Sequence, residues 1–294
     1  MSRSLPSVDS DALRKRGYAI VRRVFDAKEI GSLRTAARET IAELAREGRM
    51  ATFPGREGTA QGGDGDLLDM PRLRQVLYDP RVVSVVQRLL GGQPVYFGDS
   101  TFRVGKSGIR GWHRDSVNRR RWRGGPDWDD PPYPLLRCGL YLQDQSRHSG
   151  GLALRPRSNR PGLVRPTLPK LVNASAGDLI VWNLRTVHSG EVVRLRGLPN
   201  LPLHPRLQTY LPDGLRVPDD GERIVLFMAF ARPGAHLDRY MEDLQGRGDL
   251  PEWSSTRYAP EVWAEAENAG LRILVPIAAH DGAPPDPAGR TSSG

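Results

Sequence analysis

From about residue 95 the chain stops reading as helix and breaks into short apolar runs separated by Gly and Pro, and this change of texture limits the folds open to it. The runs are PVYFGDSTFRV, GWHRDS, LRCGLYLQD, GGLALRP, DLIVWN and ERIVLFMAFA. Many short strands with turn punctuation predict a sandwich or barrel. The 32 glycines and 25 prolines agree, because they favour turns and long loops over a helical bundle. There is no Walker A loop, no GxGxxG and no internal repeat, so nucleotide-binding folds have no anchor here.

Helical texture flanks this region. GYAIVRRVF reads as a short strand, and DAKEIGSLRTAARETIAELAREG as an amphipathic helix. Asp26 is its N-cap with Glu29 as box partner, and Ile30, Leu33, Ala37, Ile41 and Leu44 share one face. Residues 51–67 are glycine-rich and expected to be a mobile loop, and 71–91 a helix ending at a glycine. AHLDRYMEDLQ and APEVWAEAENAG restore helix after Pro233, and the Pro/Gly/Ser-rich tail, 281–294, is expected to be disordered. One domain over 1–280 suits this length: a helical part at about 1–94, a β core at about 95–232 and a helical extension at about 233–280.

The net charge of +9 raises the question of a nucleic-acid partner. The excess is almost wholly arginine, with lysine only at Lys15, Lys28, Lys106 and Lys170, and it is spread along the chain as compositional bias would spread it. No nucleic-acid partner is expected. The run Arg119, Arg120, Arg121 and Arg123 reads first as a solvated loop and second as a contact for an anionic substrate group. A single cysteine, Cys138, excludes an intrachain disulfide and a thiolate zinc cluster, and reads as a small buried hydrophobe. The N-terminus lacks the apolar core of a signal peptide, and no apolar run has the length to span a bilayer. A cytoplasmic protein is expected; the oligomeric state leaves no mark in the sequence.

The chemistry concentrates in two places. His113 and Asp115 stand two apart in GIRGWHRDS, and on a strand residues i and i+2 share a face, so an imidazole and a carboxylate can reach one metal while Trp112 and Arg114 face away. The second place is GDLIVWNLRTVHSG, where a turn at Gly177-Asp178, an apolar strand and His188 just beyond it can return a distant ligand to the first pair. Two histidines and one carboxylate on one face of an iron leave open positions for co-substrate and O2. The same ligand types also hold zinc in hydrolytic sites, so ligand identity does not choose the metal. His148, His204, His236 and His280 lie in turn, loop, helix-start and tail contexts and read as non-ligands; Trp112, Trp122 and Trp128 read as packing before cleft lining.

In order along the chain these features resemble the phytanoyl-CoA dioxygenase family of Fe(II)/2-oxoglutarate oxygenases. GYAIVRRVFDAKEIGSL is similar to that family's opening strand and helix, DPRVVSVVQRLLGG to the helix ahead of its barrel, and WHRDS to its proximal metal motif. GGLALRPRSNR resembles a degenerate form of its Gly-Cys-Leu…Pro-Gly-Ser-His segment, and GDLIVWN…HSG its distal histidine region, so the likeness spans roughly 17 to 231. It implies a double-stranded β-helix (a cupin-like jelly roll) mainly of β structure with flanking helices. His113, Asp115 and His188 would be the catalytic iron ligands, with 2-oxoglutarate and O2 as co-substrates. It also implies an arginine for the distal carboxylate of 2-oxoglutarate, since a guanidinium fork binds a carboxylate bidentately.

In the family that arginine leads the last strand, about a dozen residues after the distal histidine. Here Arg194 and Arg196 follow His188 too closely, and an insertion, 197–222, delays the last-strand pattern to RIVLFMAFA, so Arg223 is the first choice, then Arg196, then Arg194. Ser189 is expected near the co-substrate, where the family often has a small hydroxyl residue. The insertion is long enough to form a lid. Halogenating relatives replace the carboxylate ligand with a small residue, so the retained Asp115 implies hydroxylation or another oxidation. The partner would be a small-molecule substrate of biosynthetic tailoring type, with an anionic group. Two other classes remain: a cupin-like metalloenzyme without 2-oxoglutarate, such as an isomerase, which would not need Arg223, and a basic binding module indifferent to His188.

Overall fold

The fold follows from which residues alternate and which are capped. The computed structural model describes residues 6–55, 58–63, 65–108, 111–116, 126–129, 132–160, 167–245 and 258–274. The run Arg119 to Arg123, Trp122, His280 and the 281–294 tail lie outside these residues. In chain order the elements are α1 (Ser10–Arg16), β1 (Tyr18–Val21), α2 (Ala27–Arg46), β2 (Met50–Gly55), β3 (Gly58–Gly63), α3 (Pro71–Tyr78), α4 (Pro80–Leu90), β4 (Val95–Tyr96) and β5 (Thr101–Val104). There follow α5 (Pro126–Asp129), β6 (Leu135–Tyr141), β7 (Gly151–Leu154), β8 (Lys170–Leu171), β9 (Leu179–Asn183) and β10 (His188–Val192). The chain closes with α6 (Pro205–Gln208), β11 (Ile224–Ala231), α7 (Ala235–Gln245), α8 (Pro260–Asn268) and β12 (Arg272–Ile273).

Two sheets face each other as a jelly roll. The larger runs β1-β9-β6-β11-β5-β3-β2, with β4 and β12 attached through β11, and the smaller runs β10-β7-β8. Strand parity divides the large sheet. Cys138, Leu140, Leu226 and Met228 turn outward and pack under Ala37 and Leu44 of α2, Leu73 and Leu77 of α3, and Val82 and Val86 of α4. Tyr141, Ile180, Trp182 and Val225 turn inward and meet Leu152 and Leu154 of the small sheet. Among the described residues no helix is long and apolar enough to cross a membrane.

The capping box on α2 forms as expected: the Asp26 side chain accepts from the Glu29 amide and Glu29 returns the contact to the Asp26 amide. Two local expectations need correction. The 51–67 segment is not mainly loop, because β2 and β3 form a hairpin that extends the large sheet. Its glycines serve close approach: a Cβ on Gly62 would lie 2.6 Å from the Phe102 carbonyl oxygen, and one on Gly63 would lie 2.1 Å from Met70 Cε. The 71–91 segment is two helices rather than one, since Asp79 precedes Pro80, takes an extended ψ of 122° and caps α4 through the Arg81 amide.

Behind the large sheet Asp66 is fully enclosed, accepting from the Leu68 amide (2.8 Å) and the Tyr96 hydroxyl. Burial pushes its pKa up to about 7, with these hydrogen bonds opposing. A carboxyl raised on folding favours the native state while protonated, so its contribution is complete below about pH 4 and is lost as pH rises towards 7. Urea unfolding at pH 5 and pH 8 should therefore show wild type losing stability across this interval, by no more than about 3 kcal/mol. Asp66→Asn should flatten that loss. An unchanged slope in the variant would place the pH dependence elsewhere.

Candidate metal centre and co-substrate pocket

His113 is not within a strand, yet a single bridge sets it against the first residue of β10: the His113 amide donates to the His188 carbonyl (3.0 Å) and the His188 amide to the His113 carbonyl (2.9 Å). The Asp115 amide donates to the Leu184 carbonyl (3.0 Å), which ties the HxD segment to the turn between β9 and β10. The three side chains converge. His188 Nε2 lies 3.5 Å from Asp115 Oδ2, His113 Nε2 3.9 Å from Asp115 Oδ1, and all three ligand atoms fall within 4.8 Å of one another. One first-row divalent ion at about 2.0–2.2 Å from each donor fits this spacing.

The donor set is prepared as well as placed. His113 Nδ1 faces the Gly111 carbonyl oxygen at 2.8 Å and His188 Nδ1 faces that of Thr186 at 3.0 Å. A carbonyl can only accept, so Nδ1 carries the proton in each ring and Nε2 keeps its lone pair for a metal. Burial pushes the His188 pKa down to about 4; His113 acts in the same direction and Asp115 opposes. His188 is thus neutral at neutral pH.

Beneath Asp115 lies a buried ion network that the sequence did not announce. Arg137 of β6 alternates inward, with Nε 3.6 Å from Asp115 Oδ2. Its other nitrogens hold the Asp99 carbonyl and carboxylate, and Asp99 also accepts from the Tyr240 hydroxyl at 2.7 Å. Burial alone would lower the Arg137 pKa, but Asp99 and then Asp115 raise it, so the guanidinium stays charged and orients the Asp115 carboxylate.

Arg223 immediately precedes β11 and is 4% exposed. Its Nε donates to the Gly150 carbonyl (3.1 Å), Nη1 has no hydrogen-bond partner, and the guanidinium carbon lies 5.7 Å from the Tyr141 ring centroid. Glu191 stands beside it, Oε1 to Nη1 3.7 Å, in a left-handed backbone conformation (φ 57°) at a bulge in β10. Glu191 Oε2 is already held by the amides of Ser107 (3.0 Å) and Gly108 (2.6 Å). Aromatic rings connect Arg223 to the metal ligands: Tyr141 meets Phe227 (6.2 Å), Phe227 meets Trp182 (6.3 Å) and Trp182 meets His188 (5.4 Å). Gly139 makes room for this wall, since a Cβ there would sit 3.1 Å from both Trp182 and Tyr141.

The other expected residues fall elsewhere. Arg194 is a structural rivet, donating to the carbonyls of His148, Pro199, Gln145 and Val172 and to Asn173 Oδ1. Arg196 is exposed and donates to the Arg216 carbonyl (2.8 Å). Ser189 follows His188 on an extended strand and so turns to the opposite face, level with Ala153 and Leu171. The 197–222 insertion docks at the far end of β10, where Gln208 Oε1 accepts from the Val193 amide and Asp219 pairs with Lys106. It lies towards the Arg223 end of β10 rather than the His188 end, with Asp219 beside Gly150. His236 pairs with Asp127 (3.0 Å), His204 caps α6, and Cys138 is buried with its thiol pKa pushed up by burial.

Comparison with known proteins bears on the fold and the family. Among solved structures, AviO1 from Streptomyces viridochromogenes is 19% identical over 77% of this chain and 94% of that one, with a TM-score of 0.53. The non-haem alpha-ketoglutarate-dependent epimerase SnoN from nogalamycin biosynthesis is 17% identical over 76% and 81%, with a TM-score of 0.52. EctD from S. alaskensis, solved with 2-oxoglutarate and 5-hydroxyectoine, is 17% identical over 76% and 74%, with a TM-score of 0.51. Likeness at these identities is a likeness of fold. No curated protein matches the sequence. The family model for phytanoyl-CoA dioxygenase (PhyH) matches residues 13–194, most of the chain and the segments that carry His113, Asp115 and His188. The chain therefore belongs to the phytanoyl-CoA dioxygenase family of non-haem iron, 2-oxoglutarate-dependent oxygenases.

Proposed function

We propose that this enzyme hydroxylates a small-molecule substrate bearing an anionic group, with His113, Asp115 and His188 as the iron ligands and Arg223 as the clamp for the distal carboxylate of 2-oxoglutarate. The observation that carries the proposal is the pairing of two Nε2 atoms and one carboxylate, all within 4.8 Å, with a buried guanidinium whose Nη1 makes no hydrogen bond and has only the Glu191 carboxylate beside it, at 3.7 Å. Bound there, iron with 2-oxoglutarate and O2 supplies the oxidant for a substrate C–H bond, the keto acid leaving as succinate and CO2.

This chain's own residues bind, orient and exclude water. Arg137 holds the Asp115 carboxylate, which leaves its oxygens directed between the two imidazoles. The Trp182, Phe227 and Tyr141 wall keeps the path between ligands and clamp apolar, which strengthens the ion pair made at Arg223. Structures alike in fold include an epimerase from nogalamycin biosynthesis and EctD solved with 5-hydroxyectoine, which supports a small molecule of biosynthetic type. Retention of Asp115 as a ligand favours hydroxylation.

The test is direct. Anaerobically purified protein given Fe(II) and 2-oxoglutarate should develop a weak visible charge-transfer band, and admitting O2 should release succinate. Iron-loaded protein that shows neither band nor succinate would overturn the 2-oxoglutarate assignment and leave a cupin-like metalloenzyme in its place.

A further inference from the structure

A cleft of about 430 Å³ opens on the helix-facing side of the large sheet, between α1, the end of α4 and the segment leading into β6. Arg14, Arg88, Arg160, Arg185 and Arg232 line it, and among the described residues no Asp or Glu does. Its apolar wall includes Leu13, Leu90 and Leu136. Leu136 belongs to the helix-side core, whereas its neighbour Arg137 faces the barrel, so this wall of the cleft lies on the opposite face of β6 from Asp115.

Three residues of the lining carry a second, independent signal. The Tyr133 hydroxyl, Asn159 Oδ1 and Arg185 Nε are buried without a hydrogen-bond partner, on side chains only 3%, 7% and 3% exposed. Buried polar groups are ordinarily satisfied, and each that is not costs about 1–3 kcal/mol. Among the described residues Arg185 donates only to the Asp127 carbonyl (2.6 Å) and lies over the rings of Trp128 (4.9 Å) and Tyr133 (4.7 Å). Burial pulls its pKa down to about 10, with Tyr133 and Asp127 opposing.

The rim is compensated only in part. Arg88 bonds only the Pro6 carbonyl, Arg14 pairs with Asp11, and Arg160 and Arg232 make no side-chain hydrogen bond or ion pair with any described residue. Like charges around a concave, partly apolar wall focus a positive potential, and guanidinium forks match phosphate and carboxylate. A cleft of this size lies within the usual range for small-molecule sites.

We infer that the cleft binds a small amphipathic anion, with its phosphate or carboxylate head on the arginines and its apolar body against Leu13, Leu90 and Leu136. This stands apart from the iron site and does not need it. Octyl phosphate titrated calorimetrically into the full chain should bind, while 1-octanol and inorganic phosphate, each offering half of the chemistry, should bind at least about tenfold more weakly. Octanoate in parallel tells which head group is preferred. Arg160→Glu with Arg232→Glu should weaken octyl phosphate about tenfold or more, leaving circular dichroism and the Fe(II)/2-oxoglutarate band unchanged. If that pair misfolds, Arg160→Gln with Arg232→Gln asks the same question more mildly. Silence from octyl phosphate, equal binding of octanol, undiminished binding in a folded variant, or displacement by 2-oxoglutarate would each overturn the inference.

Discussion

His188→Ala protein, loaded with Fe(II) under nitrogen and desalted, should retain no iron and release no succinate, while wild type keeps close to one equivalent. The reason lies in the donor count. His188 supplies one of only three side-chain ligand atoms in the cluster, and its ring is the one held neutral by burial. Loss of an outer partner to a metal ligand costs roughly 10–100-fold in affinity, so loss of the ligand itself must exceed that. The fold should survive, because the His113–His188 bridge is made by backbone atoms that alanine keeps. The structural losses are ring contacts with His113 and Trp182 and the hydrogen bond to the Thr186 carbonyl, together an effect of about 0.5–3 kcal/mol. His148→Ala is the control: that ring sits in the turn before β7, 4.0 Å from Asp144, and its removal should leave iron content unchanged. Wild-type iron affinity in His188→Ala would remove this triad from the metal site altogether.

The triad was legible because its rules are local. Parity on an extended segment puts His113 and Asp115 on one side, and a turn, an apolar strand and a histidine in GDLIVWNLRTVHSG bring back the third ligand. Parity also contained what was missed. If His188 faces inward then Ser189 faces outward, so its neighbourhood in sequence was no guide to the co-substrate. Arg137, a charge inside the otherwise apolar LLRCGLY strand, was a visible anomaly whose partner could not be known, since Asp99 lies far along the chain. Glu191 had no local signal at all, because a bulge with positive φ decides where it points. Glycine misled at β2 and β3 for a physical reason: it marks either freedom or crowding, and only the neighbours Phe102 and Met70 show that here it is crowding.

Arg223→Ala should leave iron binding intact and raise the 2-oxoglutarate concentration needed for half-maximal band intensity by roughly 10- to 100-fold, the equivalent of one or two charge-assisted hydrogen bonds. Arg196→Ala should not, because that side chain is exposed and turned to the Arg216 carbonyl. Glu191 complicates the experiment in an informative way. Its carboxylate is 5% exposed and 3.7 Å from Arg223, so alanine also strips a buried charge of its nearest cation. Breaking such a pair costs about 3–5 kcal/mol when nothing else holds the survivor. Here the Ser107 and Gly108 amides hold it, so the loss of stability should fall below that range, and Glu191→Gln in the same chain should restore it without restoring co-substrate affinity. Arg223→Lys should recover part of the affinity, since an ammonium keeps the charge but not the fork. If Glu191→Gln alone recovers 2-oxoglutarate binding in Arg223→Ala, then Arg223 serves only to neutralise Glu191 and the clamp lies elsewhere. If affinity stays low in the double variant and rises with lysine, the guanidinium at the head of β11 is what the distal carboxylate meets.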